Sequence, residues 1–277
     1  MSRRLYFDLE TSFNIVATFQ IGRKMFIGPE SIIKERAVIC IAYKWENDPR
    51  VYTFHWDNNQ CDKAMLAKFV KVAEQADELV AHNGDRFDIR WLRTRCLFHR
   101  IPCMPDFVSI DTLKLARAGF NFNSNKLDYI GGYLGVGRKM DAGGIEAWKT
   151  VILKNDRKAL SHMVAYCQQD VELLQRVHTE LIPYTKHKTH RAALHGGERV
   201  DCPECGSVNS RINQNRISGA GVQYLQLQCK DCGKYHNVPK VAFDRVTKER
   251  KDVVAKAKER IETAAKVSRA LNENKRR

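Results

Sequence analysis

The chain has 277 residues, with 47 Lys+Arg against 32 Asp+Glu and a formal net charge of +15. Its 43% hydrophobic and 9% aromatic content is enough to bury a sizeable core, which excludes a wholly disordered chain. The longest apolar run, residues 37–43, is far shorter than the ~18 residues of a membrane span. Asp8 and Glu10 also interrupt any N-terminal apolar segment, so the reading is a soluble, cytoplasmic protein.

From the N-terminus, Leu5–Leu9 reads as a strand, followed by a polar, irregular stretch from Thr11 to about Arg36. Val38–Lys44 and Val51–His55 read as a hairpin around the turn-forming Asn47-Asp48-Pro49. Apolar spacing predicts a helix over Asp62–Gln75 and another over Phe87–Leu97, with strands at Glu78–His82 and Phe107–Ile110. Asp111 is placed to cap the helix after the last of these. Gly131-Gly132 interrupts helical text near Asp128–Leu134, and the run to Gly144 reads as loop. Arg157–Ile182 reads as a long helix ended by Pro183. This alternation predicts an α/β body of three layers around a mixed sheet.

Charge and cysteines divide the chain. Residues 1–185 carry 26 Lys+Arg and 22 Asp+Glu, net +4, whereas residues 186–277 carry 21 and 10, net +11. A basic appendage on a nearly balanced body points to a polyanionic partner, nucleic acid above all. Cys40, Cys61, Cys96, Cys103 and Cys167 are scattered singly, which argues against a secreted disulfide framework. Cys202, Cys205, Cys229 and Cys232 instead form two CxxCG turns with 23 residues between them, the pattern by which paired thiolates enclose one structural zinc. Arg211, Arg216, Lys230, Lys234 and Lys240 are expected to surround this module with positive charge, and Tyr224 and Tyr235 offer stacking surfaces. The expected organisation is a catalytic domain over 1–185, a linker over 186–197, a β-rich zinc ribbon over 198–243 and a basic helical tail over 244–277. A thin stripe at Val254, Ala257, Ile261, Ala264, Ser268 and Leu271 runs along that tail.

Three carboxylate groupings carry the chemistry. Asp8 and Glu10 lie two apart on a strand and so share one face, which is electrostatically costly unless a cation joins them. Asp88 ends Asn83-Gly84-Asp85-Arg86-Phe87-Asp88, a strand-to-helix passage. Tyr166 and Asp170 are four apart on the long helix and stack on one face.

In order and context these groupings resemble the three motifs of DnaQ-like 3′-to-5′ exonucleases of the DEDD group, which have a ribonuclease H-like fold. Tyr166, where the histidine subgroup has its base, makes the resemblance one to the tyrosine type (DEDDy); His162 is two helical turns from Asp170 and does not replace it. Lys126-Leu127-Asp128-Tyr129-Ile130 and Leu134-Gly135-Val136-Gly137 extend the likeness over about residues 1–185. The resemblance implies two-metal-ion phosphodiester hydrolysis, with Asp8, Glu10, Asp88 and Asp170 holding two Mg²⁺ or Mn²⁺ and Tyr166 orienting the attacking water. It implies that Asn83 and Thr11 contact substrate, first of all single-stranded DNA. An RNA exonuclease and an inactive nucleic-acid-binding adaptor are the alternative readings. The compact layout is similar to that of stand-alone nucleases of bacteria and phages.

Overall fold

A computed structural model describes residues 3–19, 22, 25–104 and 106–274, with residues 267–274 described by backbone alone. The chain divides into two compact units, Met1–Lys188 and Thr189–Arg277.

The first unit is built on a five-stranded mixed sheet. Its strands are β1 (Arg4–Thr11), β4 (Val38–Trp45), β5 (Tyr52–His55), β6 (Glu78–Ala81) and β7 (Ser109–Asp111), in the order β5-β4-β1-β6-β7. β1, β4 and β5 pair antiparallel, and β6 and β7 add to β1 in parallel. A short separate ladder joins β2 (Ile15–Val16) to β3 (Ile32–Lys34), so the stretch expected to be irregular carries a small hairpin. Strands of two and three residues are too brief for alternation to show in sequence.

Alternation along β1 sets up the site. Leu5, Phe7 and Leu9 enter the core against Leu66 and Phe69 of α1 (Lys63–Ala73) and Ile89 and Leu92 of α2 (Asp88–His99). Tyr6 points to the opposite layer, where it meets Cys167, Val171 and Leu174 of the long helix, α6 (Arg157–Leu181). Asp8 and Glu10 share that second face by the two-residue period. Burying each large apolar side chain contributes about 1.5–3 kcal/mol, so a one-residue slip of β1 would forfeit Leu5, Phe7 and Leu9 together. Arg4 anchors the start of the strand through Glu78, at 2.7 Å, with both side chains buried.

The α6 layer also contains α3 (Thr112–Gly119), α4 (Leu127–Tyr133) and α5 (Gly144–Leu153). α4 runs straight through Gly131-Gly132, where the sequence suggests an interruption. A Cβ on Gly131 would come within 2.7 Å of the Gly137 carbonyl oxygen and of Leu173 on α6, so glycine permits close helix packing here rather than a break. α5 is absent from the sequence reading. It begins at Gly143 and Gly144, with φ of 73° and 58°, and buries Val151 and Ile152. Asp156 caps α6 through the Ala159 amide at 2.8 Å, and the helix ends before a 3₁₀ turn at Ile182–Tyr184.

In the second unit α7 (Arg191–Leu194) is a single turn within the stretch read from sequence as linker. β8 (Ser210–Ile217), β9 (Gln223–Cys229) and β10 (Tyr235–Pro239) form an antiparallel sheet in the order β10-β9-β8. Leu225, Leu227 and Val238 pack one face against Val200 and the first turns of α8 (Lys240–Asn274), through Ala242, Phe243 and Val246. Farther along α8, Val254 and Ile261 of the predicted stripe are exposed, while the side chains of Ser268 and Leu271 lie outside the described residues. Among the described residues no helix is long and apolar enough to cross a membrane.

Candidate functional site

Asp8 and Glu10 on β1 and Asp170 on α6 each present a carboxylate oxygen within 4.8 Å of the others. Asp170 lies in line with Cys167, Val171 and Leu174 on the buried face of its helix, so packing α6 on β1 carries the acid inward. Cys167 completes this seam, donating its thiol toward Asp8, at 3.4 Å to the carbonyl and 3.5 Å to the carboxylate oxygen.

The crowding has an electrostatic cost. Burial, then Asp170, raises Asp8 to about 7; burial, then Asp8, raises Glu10 to about 9. Burial also raises Asp170, although Lys139 opposes it. One oxygen of Asp170, Oδ1, is buried without a hydrogen-bond partner. An all-oxygen donor set with excess negative charge and an unsatisfied buried oxygen fits hard divalent cations such as Mg²⁺ or Mn²⁺.

Asp88 is recessed from this triad. As the first residue of α2 it is almost fully buried, and its Oδ1 accepts from the Leu9 amide at 3.2 Å. Burial, then Asp8, holds its carboxyl well above the usual range. It thus clamps β1 between the two other acids through the backbone.

Lys139, which sequence reasoning missed, lies in the loop before α5. Its Nζ donates to Asp170 at 2.5 Å and to the Tyr166 hydroxyl at 3.1 Å. Burial opposes its charge, but Asp170 and Asp8 outweigh that and hold the ammonium protonated well above its ordinary range. Asp128 steadies the loop by accepting the Lys139 amide at 2.9 Å. The available signal was a lysine in a glycine-rich segment upstream of the third motif. Tyr166 is half-buried, and its hydroxyl is raised to about 12 by burial, then Asp170.

The turn after β6 is organised by Asp111. Besides capping α3 through Leu113, as expected, its Oδ1 accepts from the Asn83 amide at 2.9 Å. Asn83 has a left-handed φ of 67°, a conformation that asparagine tolerates better than most residues. His82 is fixed at the same turn, at 2.9 Å from Thr112 Oγ1 and 3.0 Å from the Asn125 carbonyl, and burial pushes its pKa down to about 4. His82 and Asn83 line a cavity of about 580 Å³ with Arg117, Asn123, Ser124, Lys126 and Lys139. Thr11 is largely buried beside Glu10, and its carbonyl accepts the Trp148 indole at 3.0 Å.

In the second unit Cys202, Cys205, Cys229 and Cys232 converge with their sulfurs within 4.8 Å. Cys202 is 3.6 Å from Cys232, and Cys205 is 3.6 Å from Cys229. Sulfurs about 2.3 Å from a tetrahedral zinc lie slightly farther apart than this, so the cluster fits one Zn²⁺ with little movement. Gly206 and Gly233 close the two turns at φ of 76° and 74°. Lys234, expected on the surface, is 1% exposed and lies 3.9 Å from Glu204, also buried. An interior carboxylate holds its ammonium, because an uncompensated charge there would be strongly destabilising.

The RNase H superfamily matches residues 33–182, a segment that includes Asp88, Tyr166 and Asp170 and begins beyond Asp8 and Glu10. A DNA polymerase of Thermococcus hydrothermalis is 29% identical over 93 residues, which cover 31% of this chain and 5% of the polymerase. Among solved structures, the family B DNA polymerase of the archaeon Pyrobaculum calidifontis is similar with a TM-score of 0.48 and 16% identity, over 79% of this chain and 31% of the polymerase.

Proposed function

This chain belongs to the RNase H superfamily, and from that premise we propose that it is a metal-dependent 3′-to-5′ exonuclease acting on single-stranded DNA. The observation that carries the reading is the meeting of Asp8, Glu10 and Asp170 within 4.8 Å, with Tyr166 one helical turn from Asp170. Asp8, Glu10 and Asp170, with Asp88 behind them, would hold two Mg²⁺ or Mn²⁺. Such ions, when bound, acidify water and stabilise the charge of the leaving oxygen.

The chain's own groups supply orientation and charge balance. The Tyr166 hydroxyl, raised to about 12, keeps its proton at neutral pH and therefore positions water by hydrogen bonding instead of acting as a base. Lys139 fixes that hydroxyl and offsets part of the carboxylate charge. Asn83, on its left-handed turn, faces the cavity that receives the strand, and Thr11 follows the first two acids toward the terminal nucleotide. The cysteine module, holding zinc, and the basic helix α8 bind nucleic acid and raise its local concentration at the catalytic unit.

A digestion panel tests the proposal, using single-stranded and duplex DNA and RNA blocked at the 3′ or the 5′ end, with and without Mg²⁺ or Mn²⁺. Release of nucleotides from free 3′ ends of single-stranded DNA, lost in Asp8→Ala, is the expected result. Release from 3′-blocked strands, or full activity in Asp8→Ala, would overturn it. Equal or faster release from RNA would shift the substrate to the alternative polymer, and no release under any metal would favour the adaptor reading.

A further inference from the structure

The two faces of the β8-β9-β10 sheet are chemically distinct. Leu225, Leu227, His236 and Val238 are buried on the face toward α8. The opposite face, read from the strand register, carries Arg211, Gln214 and Arg216 on β8, Tyr224, Gln226 and Gln228 on β9, and Tyr235 and Asn237 on β10. These side chains are exposed or partly exposed, and none of the residues in the three strands is acidic. Residues 189–277 carry 19 Lys+Arg and 10 Asp+Glu, net +9, so the setting is strongly cationic while the face itself is mostly neutral amide and phenol.

That division matters. Lysine-rich surfaces bind phosphates without regard to the bases. Amides and guanidinium groups match the hydrogen-bonding edges of bases, and tyrosines match their faces. The face is also held in place before any ligand arrives. Arg211 donates to the Gln228 side chain through Nε at 2.9 Å, and Asn213, at the bulge in β8, donates to the Gln226 side chain at 2.8 Å. Cross-strand ties of this kind reduce the side-chain entropy lost on binding. Base faces are open to tyrosine only where bases are unstacked, which selects a single strand over a duplex.

Resting on the proposal that this unit binds nucleic acid, we infer that the outer face of the β8-β9-β10 sheet is a base-contacting platform for single-stranded nucleic acid, with Tyr224 and Tyr235 as stacking groups. Positive charge on this same face comes from Arg211 and Arg216 of β8, since the first turns of α8 pack on the opposite face of the sheet.

The test uses the full chain in an Asp8→Ala background, zinc-loaded, titrated against a labelled mixed-sequence DNA strand, its RNA counterpart and the matched duplex at several KCl concentrations. Tyr224→Ala and Tyr235→Ala are each expected to weaken single-strand binding about fivefold or more. Duplex affinity, zinc content and the slope of log affinity against log salt should be unchanged, because no phosphate contact is lost. Single-strand affinity within about twofold of the parent in both variants, or equal losses on strand and duplex, would overturn the platform. Loss on DNA alone or on RNA alone would support it and identify the polymer. The outcome is separable from the exonuclease reading: a wild-type chain that degrades strands while the tyrosine variants bind normally removes only the platform, and one that binds through the tyrosines but releases no nucleotides removes only the exonuclease.

Discussion

The carboxylate and cysteine sites assemble their donors by opposite routes. Asp8 and Asp170 come from the first strand and the last long helix of one unit, and their meeting depends on the register of β1 and the packing of α6. The four cysteines come from two glycine-closed turns, each complete in itself. In the first site a preformed fold holds like charges together at a cost; in the second a bound metal would itself become part of what holds the fold. The core of the second unit is small, centred on Val200, Leu225, Leu227, Val238 and Val246, whereas the first has an apolar cluster on each face of its sheet. Metal removal should therefore destabilise both units, the second far more than the first, because only there does the metal stand in for a core.

The largest effect should come from zinc. Chelation, or Cys202→Ser with Cys229→Ser, should unfold the second unit with a loss on the order of 10 kcal/mol and leave the first unit's melting transition in place. Circular dichroism melts and limited proteolysis with and without chelator measure this, and a second unit that resists proteolysis without metal would erase the contrast.

The carboxylate site should gain stability when its charge is reduced. The unfolded values near 4 rise in the folded state to about 7 for Asp8 and about 9 for Glu10, so the metal-free native protein binds more protons than the unfolded chain between those limits. The associated stability is fully present below pH 4 and lost as pH rises through 7 and 9. Asp8→Asn should then stabilise the metal-free protein at pH 8 by about 1–3 kcal/mol, seen in urea melts, while removing metal-dependent cleavage. Divalent-ion affinity of the parent, followed by calorimetry, should increase over the same pH range as protons are released.

Lys139→Met should do the reverse. Removing the cation beside Asp170 should cost the metal-free protein about 1.5–3 kcal/mol at pH 8, and added Mg²⁺ should recover most of it. If the loss is the same with and without Mg²⁺, Lys139 acts through packing and not through charge.

Asp111→Ala is expected to have the smallest effect on stability, about 1–2 kcal/mol for a lost helix cap. It also releases the Asn83 amide, so KM should rise more than kcat falls if the turn positions substrate. Urea melts alongside steady-state kinetics separate the two effects.

Much of this was legible because it is local. Strand alternation placed Asp8 and Glu10 on one face, helical spacing from Arg157 and the stop at Pro183 bounded α6, and the CxxCG pairs identified the cysteine cluster directly. What escaped sequence was set by contacts distant in the chain. Gly131-Gly132 reads as a helix break in isolation, yet Leu173 and the Gly137 carbonyl make glycine necessary inside α4. Lys234 reads as a surface cation until Glu204 is found beside it in the interior. α5 starts at two glycines and so reads as a continuation of the loop, although Trp148, Val151 and Ile152 have helical spacing and the last two are buried in the core.

The amino-acid sequence by itself determined an α/β body with a mixed sheet, a basic appendage and a four-cysteine cluster, because side-chain period, charge and turn chemistry act over a few residues. Only the tertiary structure decided that Lys139 joins Asp170 and Tyr166, that Asp88 reaches the Leu9 amide, and that the half-buried acids of β1 are brought against the buried Asp170. Those relations depend on which helix covers which face of the sheet, and burial there converts tolerable surface charges into carboxyls raised far above their ordinary range.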